Sequence, residues 1–600
     1  MPDFSTASKT NDSSCNSRCS TEPSSSCGGT YVMSLYKIVN PQGNVTNTGF
    51  VPACRTQPLC SHHVCDTSLS IAERVDSLVN SLTLEEKILN VVDASALICP
   101  SRVAILRSYI RNFIPGLQGD DPKDKQVIAT CKHFAVYDLE TGRYGNNYNP
   151  TQQDLSDYFL APFKTCVHDT DVGSVMCTQK ALNFTADYHY VVSDCGAVTD
   201  IWQYHNFTDT AEGAASAALN AGVDLECGSS YLKLNESLAA NQTLVEVLDQ
   251  ALTRLYSALF TVGFFDGGKY NDLDFSNVST PVAQALAYEA AVEGMTPLKN
   301  DKLLPLGSSH KYKSIAVIGP FANATTQMQG DYSGNAPFLI SPLEAFESDH
   351  RWKVNYALGT EINNQSTTRF GLSKLSKPMI VVQFGGGQVD DSILLKDKGV
   401  QALVWAGYPS QSGGSALLDV LLGRRSLAGR LPVTQYPASY ADQVSIFDIN
   451  LRPNMKDSYP GRTYKWYTGK SVIPFGYGLH YTEFKFKWEE TLNREYNIQQ
   501  LVASCQRSSD RPVNDNTPFT TVKARVKNVG HETSDYVSLL FLSSKDAGPT
   551  ARPNKSLVSY LRLHNITSGS EQISDLPLTL SSLARADENG SFVIFPGRSV

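Results

Sequence analysis

Asp194, Lys132 and His133 are the residues whose types and positions could do chemistry together. Asp194 directly follows an apolar run, and residues at the carboxyl ends of parallel strands face the active site of a (β/α) barrel. Its carboxylate is therefore placed for catalysis, while Lys132 and His133 could bind hydroxyls and oppose its charge. These residues belong to three short segments, each bordering a predicted strand: CKHFAVYDLE at 131–140, VVSDCGAV at 191–198 and AGVDLECG at 221–228.

Each of these features also has a simpler interpretation. An aspartate after a strand commonly caps a helix or a turn, and a Lys-His pair commonly lies on the surface or packs in a core. The glycine-rich GGGQVD at 385–390 has no Lys-Ser/Thr after it, so it indicates a tight turn rather than a phosphate loop. Cys195 and Cys227 form either a disulfide or two buried thiols, and the absence of a CxxC spacing disfavours zinc.

The elements that position these residues follow an alternating pattern. Strand-like runs alternate with helical stretches, which predicts a parallel sheet with crossover helices. The predicted strands are VIAT (127–130), SVMC (174–177) and YVVS (190–193), and the predicted helices cover 209–222 and 242–263. Upstream, Ser70 with Glu73 and Thr83 with Glu86 have the spacing of capping boxes, which predicts two short helices in tandem.

Two further regions follow this one. From about 285 to 482, a helix over YEAAVEG leads into a predicted turn at TPLKND, and the apolar runs SIAVIGP, PMIVVQF and VQALVWAG indicate a second parallel sheet covered on both faces. From 485 to 600, partial alternation in TTVKARVKNV and DYVSLLFL indicates an antiparallel β-sandwich. Residues 1–50 are rich in Ser, Thr, Gly and Cys, and we expect them to be disordered.

Composition narrows the class of protein. The 600 residues are 41% apolar with a net charge of −8, which indicates a globular chain of about four domains that binds neither nucleic acid nor an anionic membrane. No run of about 18 apolar residues predicts a membrane span. Thirteen cysteines and a dozen N-x-[ST] sequons favour a secreted glycoprotein, although the first residues lack the apolar core of a signal peptide.

The chain resembles the fungal exo-β-xylosidases of glycoside hydrolase family 3. The resemblance rests on KHFAVYDLE, VSDCGAV and AGVDLECG, followed in the family's order by EAAVEGMTPLKND, SIAVIGPFANATTQMQGDYSGN, VQFGGGQVD, WAGYPSQSGGSALLDVLLG and GRTYKWYTGKSVIPFGYGLHYTEF. It covers most of residues 50–600. The SDC form of the second motif is typical of the xylosidase branch, whereas the β-glucosidase branch typically carries SDW.

The resemblance implies a retaining exo-glycosidase that releases D-xylose from xylo-oligosaccharides and needs no metal or organic cofactor. Asp194 matches the family's nucleophile, and Lys132 and His133 match its sugar-binding pair. In retaining enzymes a second carboxyl group, the acid/base, lies about 5–5.5 Å from the nucleophile. Arabinofuranose or glucose remains an alternative sugar. The implied fold is a (β/α)8 TIM-like barrel at 51–270, an α/β sandwich at 285–482 and a fibronectin-III-like domain at 485–600.

The sequence departs from the family at several sugar-contacting segments, so we expect an incomplete barrel and an incomplete last domain. The R-L-G, N-E-A-L-H-G and G-R-G-x-E segments of the first barrel strands are absent, as is the E-x-E-G-x-D-R segment that carries the acid/base. Glu361 lies upstream of that gap, and we do not assign it. These losses predict weak activity, and the alternative is an impaired relative that at most binds sugars.

Overall fold

The computed structural model describes most of the chain in two units. The first lies within 1–151 and 155–275, and the second comprises 152–154 and 276–600. The described residues are 17–18, 26–27, 53–55, 62–93, 103–146, 148–177, 190–307, 312–330, 333–334, 336–359, 377–489, 495–505, 516 and 518–598. The disorder predicted for 1–50 falls outside them, apart from the antiparallel pair Ser17–Arg18 and Ser26–Cys27. None of the described helices is both long and apolar enough to cross a membrane.

The first unit contains the two tandem helices that the capping boxes predicted. The helices are Ile71–Ser81 and Leu84–Asn90. The side chain of the residue before each helix, Ser70 or Thr83, accepts a hydrogen bond from the backbone amide three positions on. The glutamate at that position in turn accepts one from the backbone amide of Ser70 or Thr83. Such reciprocal bonds satisfy amides that would otherwise lack partners at a helix start. This part of the prediction is confirmed.

Five parallel strands form a continuous row in the first unit. Their order is Thr130–Phe134, Ser174–Cys177, Tyr190–Ser193, then Leu225 with Glu226–Cys227, and finally Val92–Asp93. SVMC and YVVS are strands as predicted. The first strand was predicted at 127–130 but begins at Thr130, so Lys132 and His133 lie within the strand rather than after it. The apolar VIAT run had suggested the earlier start, whereas the pairing with Ser174–Cys177 sets the actual one.

Helices pack around this row because each has one apolar face. Leu106, Ile110 and Ile114 of a helix that the sequence did not predict are buried against the first two strands. The longer helices of this unit are Val103–Gln118, Ala197–Gln203, Ala211–Asn220, Leu234–Ala239 and Val245–Thr261. Short helical segments of the same unit cover Leu155–Phe159, Ala161–Lys164 and Thr165–Asp169. The short helix Gln152–Asp154 belongs to the second unit.

The second unit contains a mixed sheet rather than the parallel one that the sequence predicted. Met379–Phe384 pairs in parallel with Val400–Gly407, which pairs on its other side with the antiparallel strand Thr296–Asn300. The segment TPLKN was predicted to be a turn. It is a strand because Thr296, Pro297 and Leu298 are buried against the apolar central strand. A separate parallel pair joins Ser314–Ile318 to Lys353–Ala357.

Helices cover this sheet, and a β-sandwich follows. Pro281–Gly294, Pro342–Ser348, Ser392–Lys396 and Gly413–Leu422 are the helices of the α/β region. The sandwich has a three-stranded antiparallel sheet of Phe484–Trp488, Pro518–Asn528 and Glu571–Thr579, and a second sheet of Ser534–Leu542 and Ser556–Ile566. Val522, Leu540 and Leu576 fill part of the space between the sheets. The prediction of an antiparallel sandwich is confirmed.

Candidate active site

Asp194 lies at the carboxyl end of the central strand of the parallel row. Its amide donates a 2.9 Å hydrogen bond to the carbonyl of Cys177 on the neighbouring strand, and its Oδ1 accepts a 2.8 Å bond from the amide of Cys195. Gly196 follows with φ of 79°, a conformation that favours glycine, and the helix Ala197–Gln203 begins after it. The strand and the turn together hold the carboxylate at the rim of the sheet.

His133 and Lys132 reach the same rim from the first strand of the row. His133 Nε2 lies 3.5 Å from Asp194 Oδ2, and the two side chains are only 19% and 20% exposed. Burial lowers the pKa of His133 while Asp194 raises it, and Lys132 lowers it further. Burial likewise lowers the pKa of Lys132, and Asp194 opposes that shift. The structure thus brings together the three residues that the sequence singled out.

A network beside His133 was not expected from the sequence. The ring of Tyr137 lies 5.1 Å from that of His133, and the Tyr137 hydroxyl donates to Glu140. Arg143 donates a 3.2 Å bond to the Tyr137 hydroxyl and forms a 3.4 Å ion pair with Glu140. The run of polar residues in YDLETGR, two residues after KHF, was the available signal.

Asp224 and Glu226 of the third motif have structural partners. Asp224 Oδ1 accepts bonds of 2.9 and 2.6 Å from Arg254, and its Oδ2 accepts from the amide of Val191. Glu226 accepts from the amides of Ser230 and Tyr231. Burial raises the pKa of both carboxyls, and these hydrogen bonds oppose the rise. Both carboxyl groups are therefore bound by structural partners.

Cys195 and Cys227 form a disulfide with Cα atoms 4.4 Å apart, so the structure selects the bridge over two free thiols. The bridge ties the residue after Asp194 to the next strand of the row. Two further disulfides, Cys54–Cys65 and Cys131–Cys166, were not predicted. Cys177 is free and buried, and burial raises the pKa of its thiol to about 12.

A general acid is not assigned. Glu361 lies outside the described residues, Asp224 is bound to Arg254, and Glu140 is bound to Tyr137 and Arg143. Asp138 is exposed on the loop that follows the strand Thr130–Phe134, and no contact places it beside Asp194 among the described residues. That no carboxyl group occupies the acid position about 5–5.5 Å from Asp194 stays a prediction.

Two family profiles match the chain. The one described as the glycosyl hydrolase family 3 N terminal domain matches residues 100–187, which include Lys132 and His133 but end before Asp194. The one described as the glycosyl hydrolase family 3 C-terminal domain matches residues 295–356 and 359–481. The two matches fall in the first and second units of the fold respectively.

Named relatives are similar over most of the chain. A probable exo-1,4-beta-xylosidase bxlB of Aspergillus fumigatus is 44% identical over 82% of this chain and 72% of the relative. The exo-1,4-beta-xylosidase xlnD of Emericella nidulans is 39% identical over 83% and 70%. A solved family 3 exo-beta-xylosidase, XlnD, in complex with a xylobiose aziridine probe is 32% identical over 91% of this chain and 92% of that one, with a TM-score of 0.83.

Proposed function

Since the chain belongs to glycoside hydrolase family 3, we propose that it is a retaining exo-1,4-β-xylosidase that releases D-xylose from the non-reducing ends of xylo-oligosaccharides. The observation that carries the proposal is the carboxylate of Asp194 at a strand end, 3.5 Å from His133 and beside Lys132, in a chain 44% identical to a named xylosidase. The solved relative bound to a xylobiose-derived probe supports the same sugar class.

In the proposed mechanism Asp194 attacks the anomeric carbon. A bond forms between its carboxylate oxygen and that carbon, and the bond to the leaving oxygen breaks, with the electron pair staying on that oxygen. The leaving oxygen takes up a proton from solvent. Water then attacks the anomeric carbon and loses a proton to solvent, while the bond to the Asp194 oxygen breaks and its electron pair returns to the carboxylate. His133 and Lys132 hold sugar hydroxyls. Because the pKa of His133 is lowered, its imidazole is neutral at neutral pH and can both donate and accept a hydrogen bond.

The domain assignment follows from the same membership. We propose that the five-strand row is part of a (β/α) barrel, that the mixed sheet with its helices is the α/β sandwich, and that the last region is fibronectin-III-like. In support, the row is wholly parallel, and helices follow the strands Thr130–Phe134 and Tyr190–Ser193. The last region consists of two antiparallel sheets packed on a shared core.

We also propose that the protein is secreted and glycosylated. Attachment of a glycan requires an exposed asparagine. In every sequon whose asparagine the structure describes, that asparagine is exposed: Asn206, Asn235, Asn241, Asn277, Asn323, Asn554, Asn565 and Asn589. Two further disulfides among the described residues, Cys54–Cys65 and Cys131–Cys166, add to this support, since disulfides persist mainly in oxidising compartments.

Covalent labelling tests the nucleophile directly. A xylose-configured aziridine probe forms an ester with the attacking carboxylate, so mass spectrometry of the digested protein should find the label on the peptide containing Asp194. The Asp194→Asn variant should remain unlabelled, and Asp209→Asn, which changes an exposed carboxylate of the same unit, serves as the control. A label on another residue would overturn the assignment, and preference for glucose- or arabinofuranose-configured probes would favour the alternative sugars.

The second candidate function is an impaired relative that binds sugars without hydrolysing them efficiently. The absence of the E-x-E-G-x-D-R segment from the sequence favours it. The aziridine probe should still label an impaired relative at Asp194. Opening a strained aziridine ring needs less acid assistance than breaking a glycosidic bond. Labelling combined with slow hydrolysis of xylobiose would therefore identify it.

A further inference from the structure

Three side chains that could bind a metal ion meet where a helix contacts the β-sandwich of the second unit. Glu293 lies near the end of the helix Pro281–Gly294, and Asp535 and His564 lie on two paired strands of the sandwich. One ligand atom from each residue lies within 4.8 Å of the ligand atoms of the other two. Because the three residues are far apart in the sequence, no spacing motif predicted them. We call them the Glu-Asp-His cluster.

The distances within the Glu-Asp-His cluster suit a tetrahedral metal ion. His564 Nδ1 lies 3.3 Å from Asp535 Oδ2 and 3.8 Å from Glu293 Oε1. Zinc binds nitrogen and carboxylate oxygen at about 2.0–2.2 Å, so two ligands at the corners of a zinc tetrahedron lie about 3.3–3.6 Å apart. The first distance falls in that range, and a small movement of the His564 side chain, which is 55% exposed, brings the second into it.

The two carboxylates are held in place by hydrogen-bond partners outside the cluster. Arg562 Nη1 donates a 3.1 Å bond to Asp535 Oδ2, and Arg562 Nε lies 3.3 Å from Glu293 Oε2. The amide of Asn565 donates a 2.9 Å bond to Asp535 Oδ1. An irregularity in the strand pairing sets both His564 and Asn565 opposite Asp535. Partners of this kind orient the ligands of metal sites, because they fix each carboxylate before the ion binds.

The charge of the cluster favours a cation, and its ligand types favour zinc. Glu293 and Asp535 carry two negative charges when both are ionised, and Arg562 balances one of them. A carboxylate oxygen has two lone pairs, so Asp535 Oδ2 can accept from Arg562 and still bind an ion. Imidazole nitrogen together with carboxylate oxygen suits zinc, whereas Mg²⁺ and Ca²⁺ prefer oxygen ligands alone.

We propose that Glu293, Asp535 and His564 bind a zinc ion, with water in the remaining coordination position. The ion joins the end of the helix Pro281–Gly294 to both strands of the sandwich, so its role is to stabilise the second unit. This site does not depend on the proposed xylosidase activity, whose nucleophile belongs to the first unit. The alternative is that His564 in its protonated form is itself the counter-ion of the two carboxylates.

Calorimetric titration of the full chain with zinc chloride, after treatment with a chelator, tests the site. The natural chain should bind one equivalent at the cluster. His564→Ala and Glu293→Gln should each weaken that binding by about 10–100-fold or more, because loss of a ligand costs at least as much as loss of an outer partner. His531→Ala, which changes an exposed histidine of the same sandwich outside the cluster, is the matched control and should keep the natural affinity. Magnesium chloride should not compete with zinc.

Thermal unfolding gives a second measurement. At a zinc concentration of 100 times the Kd, the melting temperature of the second unit should rise by about 5–10 °C, and the rise should be absent in His564→Ala. Zinc affinity that neither His564→Ala nor Glu293→Gln changes would overturn the site. Failure of the natively folded chain to bind zinc would also overturn it, and would leave protonated His564 as the counter-ion.

Discussion

At the scale of single residues, the chemistry depends on how firmly Asp194 is held. Its backbone is bonded to Cys177 on one neighbouring strand, and the residue after it is bridged to Cys227 on the other side. A nucleophile must keep the geometry of attack, and small displacements of such a group cost large factors in rate. We therefore expect the disulfide to contribute to the reactivity of the proposed nucleophile as well as to stability.

Replacing Cys195 and Cys227 together by serine should affect both properties. The bridge closes a separation of 32 residues, for which the loop-entropy relation gives about 4 kcal/mol of stability. Labelling of Asp194 by the aziridine probe should also slow several-fold. The matched control removes Cys54–Cys65, which closes 11 residues and contributes about 3 kcal/mol. That control should lower the melting temperature without slowing the labelling, and equal labelling rates in both variants would contradict the positioning role.

The sequence identified Asp194, Lys132 and His133 because strand ends and family motifs are local features. It did not identify Tyr137, Glu140 and Arg143 as a network. Their contacts depend on how the loop after the strand folds back toward His133, and neither periodicity nor turn chemistry encodes that path. The disulfide Cys131–Cys166 was not predicted for the same reason, because its two cysteines are 35 residues apart in the sequence and meet only in the folded chain.

At the scale of elements, helix starts were the most accurately predicted features. Ser70 and Thr83 each cap a helix as their spacing with Glu73 and Glu86 indicated. The positions and ends of strands were less predictable. VIAT has the composition of a strand but pairs from Thr130 onward, and TPLKN contains a proline yet forms an edge strand, where a missing amide is tolerated.

Ser70→Ala should destabilise the first unit by about 1 kcal/mol, because the cap satisfies the amide of Glu73. For a unit of this size the melting temperature should fall by about 2–4 °C. Ser77→Ala, a change within the same helix away from its end, should leave the melting temperature nearly unchanged. Equal effects of the two substitutions in differential scanning calorimetry would show that the capping box contributes nothing measurable.

His480 gives the second unit a dependence on pH. Its ring stacks on Tyr536 and meets the edge of Phe484, and burial, followed by Arg430 and Arg562, lowers its pKa to about 3. The unfolded chain binds a proton at about pH 6.5, whereas the folded chain does not until about pH 3. The free energy of unfolding should therefore fall as the pH is lowered through this window, by at most about 1.4 kcal/mol per unit.

His480→Phe removes this titration and keeps an aromatic ring. Denaturant unfolding between pH 8 and pH 4 should show a shallower loss of stability for the variant than for the natural chain. Above pH 7, where histidine is neutral in both states, the difference between the two proteins should be constant. Parallel curves over the whole range would rule out His480 as the source of the acid sensitivity.

At the scale of the whole molecule, membership of the family and completeness of the active site are separate matters. The chain matches about seven-tenths of the length of its named relatives and retains the nucleophile motif. Its sequence does not contain the segments that, by the family resemblance, we expect to bind the terminal sugar and supply the acid. Descent can therefore be inferred from the many matching blocks, while the rate of hydrolysis depends on the segments that are absent from the sequence.

We expect hydrolysis of xylobiose to be far slower than is usual for enzymes, with aryl xylosides of good leaving groups strongly preferred. Acid assistance contributes about 10²–10⁴-fold, and it matters most when the leaving oxygen is a poor leaving group, as in xylobiose. A series of aryl xylosides should therefore show a rate that rises steeply with the acidity of the leaving phenol. Azide should accelerate the second step, where water otherwise needs a base. A kcat for xylobiose of about 1–10³ s⁻¹ would contradict this expectation.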